Sequence, residues 1–364
     1  MKRREILNQL RLEKIEVEEK ACKNFANRHV ECNDCERACP TNAIQMEQNI
    51  PVINQGNCID CGICVSTCTV YAIDHIQNPY MEIGKAIDTH PTASITCKQL
   101  EEYQKGIKIP CYLYLDLPLL MKFKNNEIKI YLKPCETCEK NEVIDVELHI
   151  NRLQQELDKL NIALKLKIER EKTMKEDDPV VKGITRRELL KIFSIKNIRE
   201  IITEEKEEVQ EISVLTGKDK ILFKRNIMNQ YFNQQDNDRQ NKISLPFNQF
   251  LKIDPIDQCR GCDICQRICP TGAIKWINDQ NNAILQFDTH ACIACKKCAV
   301  CPDQVIQFQP IDMKEYLTVQ NKTLIKLNLK QCNECGETFK TNLEIEVCEF
   351  CDAAKQKDPS RFFA

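Results

Sequence analysis

The chain has 364 residues, 42% hydrophobic and 29% charged, with 24 cysteines and a formal net charge of −2. That length is enough for two or more domains. The near-neutral balance excludes a strong field for nucleic acid or an anionic membrane surface. No uncharged apolar run of about 18 residues is present; the best stretch, 109–123, is broken by Pro110, Asp116 and Pro118.

Cysteine at this level means either a secreted disulfide scaffold or thiolate-bound metal in a reducing compartment. Disulfide scaffolds are mostly short, and the opening MKRREILNQLRLEKIEVEEK carries no apolar signal segment. The expectation is a cytoplasmic protein whose reduced thiols bind metal. The Arg186-Arg187 pair in GITRRELLKIF reads as a capped helix rather than an export signal. Thr185 is its N-cap, Glu188 closes a capping box, and Leu189, Leu190 and Phe193 form its apolar face.

Residues 1–21 are expected to form a charged amphipathic helix with Ile6, Leu7, Leu10, Ile15 and Val17 on its apolar face. Residues 22–90 form a first module with two cysteine runs. Its second run is intact: Cys58, Cys61, Cys64 and Cys68 at x2, x2, x3 spacing, followed by Thr69. The first run keeps Cys32, Cys35 and Cys39-Pro40, but His29 stands where a leading cysteine is expected. Either His29 or Cys22 can complete the set, and the softer thiolate favours Cys22; otherwise His29 is a loop histidine.

Residues 91–170 alternate β-rich segments (TASITC, IKIPCYLYL, EIKIYLKPC, NIALKLKI) with helical ones (DLPLLMKF, EVIDVELHINRLQQELDKL). That alternation predicts a small α/β unit with mostly parallel strands. Cys97, Cys111 and Cys135 each close a predicted strand, and Cys138 follows. The carboxyl ends of such strands build the binding crevice. These four thiols are therefore a candidate [2Fe–2S] or zinc site; the plainer alternative makes Cys97 and Cys111 small buried hydrophobes.

Residues 171–245 read as a charged helical connector without cysteine. Residues 246–312 hold a second two-run module. Cys259, Cys262, Cys265 and Cys269-Pro270 keep the x2, x2, x3 spacing. Cys292, Cys295, Cys298 and Cys301-Pro302 end on x2 instead. Residues 313–364 offer a strand leading to Cys332-x2-Cys335-Gly336, then Cys348-x2-Cys351. Two such knuckles make a zinc-ribbon-like pattern with four thiolates, for zinc or iron, in a structural role.

The four runs around 22–78 and 253–303 resemble the bacterial two-[4Fe–4S] ferredoxins and their polyferredoxin relatives. The x9, x2, x3 start at Cys22 looks like that of multi-cluster subunits found beside formate dehydrogenases and hydrogenases. The α/β unit loosely resembles the [2Fe–2S] domain of electron-transfer subunits in hydrogenase–heterodisulfide reductase systems. The resemblance implies an α+β protein with duplicated two-cluster modules and cross-ligation, in which the last cysteine of each run serves the other run's cluster. On that rule one cluster takes Cys22, Cys32, Cys35 and Cys68, and another takes Cys58, Cys61, Cys64 and Cys39. A third takes Cys259, Cys262, Cys265 and Cys301, and the fourth takes Cys292, Cys295, Cys298 and Cys269. The short gap before Cys301 leaves a three-iron cluster as the alternative there. With the α/β and ribbon quartets, this scheme uses every one of the 24 cysteines.

The implied function is one-electron transfer between a redox donor and an acceptor, as a non-catalytic subunit of a larger oxidoreductase. No GxGxxG or P-loop is readable among nine glycines. His75, Asp145, His149 and His290 lack spaced catalytic partners. Two other readings stand beside this one: an oxidoreductase with a cluster active site, and a redox or metal sensor.

Overall fold

The computed structural model describes residues 15–25, 31–75, 79–92, 94–98, 106–170, 217–235, 240, 243–246 and 248–355. His29, Thr185 to Phe193 and most of the expected connector lie outside them. Among the described residues no helix is long and apolar enough to cross a membrane.

The first module contains β1 (Ile15–Val17), α1 (Asp34–Ala38), β2 (Ile44–Glu47), β3 (Ile50–Ile53), α2 (Ile63–Thr67) and β4 (Ile73–His75). The expected N-terminal helix is corrected here: Ile15 and Val17 lie on a strand that pairs antiparallel with β4. Alternating apolar residues fit a two-residue period as well as a helical face. The partner strand, distant in sequence, settles the choice by accepting the backbone hydrogen bonds. Ile6, Leu7 and Leu10 lie outside the described residues. β2 and β3 form a hairpin closed by Gln48 and Asn49, both left-handed, as a tight hairpin turn requires.

After α3 (Pro79–Thr89) comes the α/β unit: β5 (Ile95–Cys97), β6 (Ile107–Ile109), α4 (Leu117–Met121), β7 (Glu127–Tyr131), α5 (Val146–Lys159) and β8 (Lys165–Glu169). Its four strands run parallel in the order β6-β5-β7-β8, as the alternation predicts. Asp145 caps α5 by accepting from the Leu148 amide at 2.9 Å. Val146, Ile150, Leu153 and Leu157 then recur at helical spacing and are buried.

α6 (Gly217–Gln234) is the described part of the connector. Its Lys224 is buried and forms an ion pair with buried Asp116 at 2.7 Å. The same ammonium donates to the carbonyls of Val65 at 2.7 Å and Cys68 at 2.8 Å. Tyr80 also donates to Asp116, at 2.7 Å and 2.8 Å from its two oxygens. A buried charge is tolerable only when so fully partnered. The next residue, Arg225, reaches the other way. It donates to the Gln249 carbonyl and lies 3.9 Å from the Phe250 ring centroid.

The second module repeats the order of the first: β9 (Lys252–Ile253), α7 (Ile264–Ile268), the hairpin β10 (Ile274–Asn278) and β11 (Asn282–Asp288), then β12 (Phe308–Gln309) paired with β9. It is followed by α8 (Met313–Thr318), β13 (Asn321–Gln331), β14 (Thr338–Thr341) and α9 (Glu349–Lys355). β13 pairs with both β11 and β14. The C-terminal hairpin thus continues the module's sheet in the order β10-β11-β13-β14.

Candidate metal centres

The three runs that keep their leading cysteine fold the same way at their start. The second and fourth residues after the leading cysteine are left-handed: Asp60 and Gly62, Gly261 and Asp263, Ala294 and Lys296. This winding turns amides toward the sulfur, forming a nest for negative charge. The N–H groups of Asp60, Gly261 and Ala294 point at the Sγ of Cys58, Cys259 and Cys292, 3.4, 3.3 and 3.4 Å away. At the close of all four runs a left-handed residue follows three positions after the last cysteine: Asn42, Tyr71, Gly272 and Gln304. Its amide bonds back to that cysteine's carbonyl at 3.4, 3.3, 3.2 and 2.9 Å, respectively. The amides of Ala43, Ala72 and Ala273 then donate to the Sγ of Cys39, Cys68 and Cys269, each at 3.2 Å.

The two irregular runs are repaired differently. The x3 gaps are spanned by five-residue α-helices, whereas the x2 gap before Cys301 is spanned by the 3₁₀ turn Lys297–Val300. A 3₁₀ turn uses fewer residues per revolution, so Cys301 keeps its place despite the missing residue. In the first run, buried Asn24 binds the Cys32 backbone twice, accepting from its amide at 2.8 Å and donating to its carbonyl at 2.6 Å. This clips the Cys22 loop against the run. Asn24 carried no sequence signal, because nothing in its local pattern distinguishes a clip from an ordinary loop asparagine.

The thiols gather in cross-run groups. Burial pushes Cys35 up to about 12, and the neighbouring thiols Cys68, Cys32 and Cys22 push the same way. Cys61 is raised by burial to about 11, with Cys39 and Cys58 adding to it. Burial raises Cys265 to about 12, helped by Cys259, Cys262 and Cys301. Cys298 is raised by burial and then by Cys292, Cys295 and Cys269. Closely spaced thiols of this kind stay ionised only beside a cation. Two groups line pockets: Cys39, Cys58, Cys61 and Cys64 one, and Cys259, Cys262, Cys265 and Cys301 the other. The walls are largely apolar, with Ile15, Ile44 and Ile53 in the first and Ile256, Leu285 and Trp276 in the second, where Asp263 and Asp303 also lie. Among the described residues, buried Trp276 Nε1 has no hydrogen-bond partner. Four thiols, inward amides and an apolar shell fit an iron–sulfur cluster.

The α/β quartet also comes together at the carboxyl ends of the strands. Burial raises Cys135 to about 12, and Cys111, Cys97 and Cys138 push the same way. The C-terminal quartet is tighter. Among the described residues, Cys332, Cys335, Cys348 and Cys351 are the group whose ligand atoms all lie within 4.8 Å. The Cys335 and Cys348 sulfurs are 3.9 Å apart, close to the roughly 3.8 Å edge of a tetrahedron with metal–sulfur bonds of about 2.3 Å. Amide hydrogen bonds from Cys348 and Cys335 lower Cys332 to about 6, which favours the thiolate, the form that binds a cation.

The histidines do other work. His149 Nε2 donates to the Leu115 carbonyl at 3.0 Å, and His290 Nε2 donates to that of Tyr316 at 2.9 Å. His75 lies 3.5 Å from Asp60. Asp145 is the α5 cap. No disulfide forms among the 24 cysteines.

The fold and the thiol groups define an iron–sulfur protein of the ferredoxin type. The 4Fe-4S dicluster domain family matches residues 30–76. An uncharacterized ferredoxin of Methanocaldococcus jannaschii is 33% identical over 67 residues, 18% of this chain and 87% of that protein. The chain belongs to the 4Fe–4S ferredoxin family.

Proposed function

We propose that the chain relays single electrons through four [4Fe–4S] clusters, two in each of two duplicated modules, as a cytoplasmic subunit or partner of a redox enzyme complex such as a formate dehydrogenase or hydrogenase. The observation that carries this reading is the repeated thiol geometry. All four run exits turn alike, and each module groups three thiols of one run with the last thiol of the other. A bound cluster supplies one-electron storage with no bond made or broken in the protein. The chain's residues hold the thiolates, aim amides at their sulfurs and keep water out with isoleucine walls.

Cys22 is the fourth ligand of the first cluster; the Asn24 clip on Cys32 supports this. Cys97, Cys111, Cys135 and Cys138 hold a [2Fe–2S] cluster, which suits a quartet wider than a single-ion site. Cys332, Cys335, Cys348 and Cys351 hold a zinc ion, since their spacing suits one tetrahedral metal.

Anaerobic purification with metal and sulfide analysis tests the reading. Four cubanes and one [2Fe–2S] cluster predict about 18 iron and 18 labile sulfide per chain, with about one zinc. A colourless preparation holding zinc alone overturns it.

A further inference from the structure

The six cysteine sites have neighbours that the sequence does not reveal. At the first junction, the α/β unit is built onto the Cys58 run. Tyr114 donates to Asp60 Oδ1 at 3.2 Å, and Lys140 donates to the Asp60 carbonyl at 2.6 Å. The Tyr114 ring lies so close over Gly62 that a Cβ there would meet its Cδ2 at 2.2 Å. Asp60 and Gly62 are inside the cysteine run, so the α/β quartet abuts the Cys39/Cys58/Cys61/Cys64 group. Cys61, Cys64, Cys97 and Cys111 accordingly share one apolar core.

At the second junction the two modules meet. Cys22 of the first and Cys295 of the second lie in one small apolar cluster with Ala21, Ile221 and Ile293, and Cys68 packs against it. Buried Lys297 reaches from the second module to within 5.5 Å of the ring centroid of Phe25, on the Cys22 loop. α6 ties both sides: Lys224 holds the Cys68 carbonyl, while Asn229 donates to the His290 carbonyl at 3.2 Å.

At the third junction the C-terminal hairpin grips the Cys259 run. Lys340 donates to the Gly261 carbonyl at 3.2 Å and pairs with Asp263, and Arg260 reaches Glu349 at 3.0 Å. A Cβ on Gly261 would sit 2.7 Å from Lys340 Cβ.

We infer that the six sites stand in single file. The Cys97 quartet comes first, then Cys39/Cys58/Cys61/Cys64, then Cys22/Cys32/Cys35/Cys68. Across the module junction follow Cys269/Cys292/Cys295/Cys298, then Cys259/Cys262/Cys265/Cys301, and last the Cys332 quartet. This order rests on the reading of the groups as cluster sites. It makes the apolar cluster that holds Cys22 and Cys295 the crossing between the halves, with Lys297 as the positive charge beside it. Among the four cubane groups it makes the Cys259 group the one that meets solvent, because Cys262 is the exposed thiol of their sixteen.

The order is testable on the full-length chain, loaded anaerobically with iron and sulfide and reduced with dithionite. Cys97→Ser and Cys111→Ser empty the α/β quartet in every variant, and further pairs of Cys→Ser substitutions empty chosen sites, leaving two cubane sites per variant. Cys61→Ser and Cys64→Ser with Cys259→Ser and Cys265→Ser keep the two groups at the junction. Cys32→Ser and Cys35→Ser with Cys292→Ser and Cys298→Ser keep the two outer groups. Mutual magnetic broadening between the two clusters in electron paramagnetic resonance is expected in the first variant and lost in the second. Broadening in the second, or none in the first, overturns the order. A charge reversal that spares every cysteine provides a second reading. Lys297→Glu is expected to lower the reduction potential of two clusters, one in each module, and a shift confined to the second module overturns the crossing. Iron and sulfide are measured before each spectrum. A wild-type chain without clusters sinks the functional reading itself, whereas loaded variants with the wrong couplings sink only the order.

Discussion

The two modules solve one problem with different means. Both carry two cysteine runs, and each contains one run that breaks the spacing rule. In the second module the defect is a missing residue, and a tighter helix turn absorbs it locally. In the first the leading cysteine is replaced, and the Cys22 loop is clipped to the run from outside it by Asn24. A length defect can be repaired by backbone geometry, but a ligand defect needs a new side chain. The modules also differ in anchoring to α6: Lys224 enters the first fully partnered, whereas Arg225 enters the second with a buried Nη1 that has no partner among the described residues.

The anchoring contrast yields the largest expected effect. Lys224→Met leaves the Asp116 carboxylate buried without its cation and is expected to cost about 3–5 kcal/mol in denaturant unfolding. Arg225→Met is expected to cost less, since one of its nitrogens is already without a partner. Equal losses would show that the two anchors are equivalent.

The ligand contrast comes next. Cys22→Ser is expected to remove up to one cluster, about four iron per chain, while His29→Ala leaves iron content unchanged; the opposite pattern reassigns the ligand. Asn24→Ala breaks two hydrogen bonds at a buried site and is expected to cost about 1–3 kcal/mol, measured by thermal unfolding of the loaded protein.

A smaller difference concerns Trp276. Its amide bonds to Gln266, as that of Met46 bonds to Glu36 in the first module. The tryptophan adds an indole N–H beside the Cys259 pocket. Hydrogen bonds to cluster sulfur favour the added electron, so Trp276→Phe is expected to lower the potential of one cluster by redox titration. No shift would place the indole away from the cluster.

The smallest effect is a pH dependence in the α/β unit. Burial lowers the His149 pKa, partly opposed by its bond to the Leu115 carbonyl. The unfolded chain therefore takes up a proton before the folded one does. Stability is complete above the unfolded value of about 6.5 and falls below it, by at most about 1.4 kcal/mol per pH unit. Unfolding midpoints from pH 7.5 to 5.5 should show this slope in the wild type and a reduced slope in His149→Gln.

Much of this was legible in the chain itself. Cysteine spacing is a local property, and a run that winds amides around sulfurs needs its residues at fixed offsets. The runs at Cys58 and Cys259 therefore announce their geometry. The β-rich and helical segments of residues 91–170 announce a parallel sheet, because each segment's period matches its own burial. Local periodicity misled at Ile15 and Val17, where both periods fit and a strand far along the chain decided. It also hid the continuity of β13 with β11, which turns the C-terminal hairpin into an extension of the second module.

The sequence by itself determined which residues are thiol donors, how they divide into runs and that the middle segment is α/β. Tertiary structure alone decided what packs against each run. Contacts such as Lys224 with Asp116, Asn24 with Cys32 and Lys297 with Phe25 join residues that no local pattern connects. They form because buried charges need partners and apolar faces need cover, and only the folded chain determines what lies opposite.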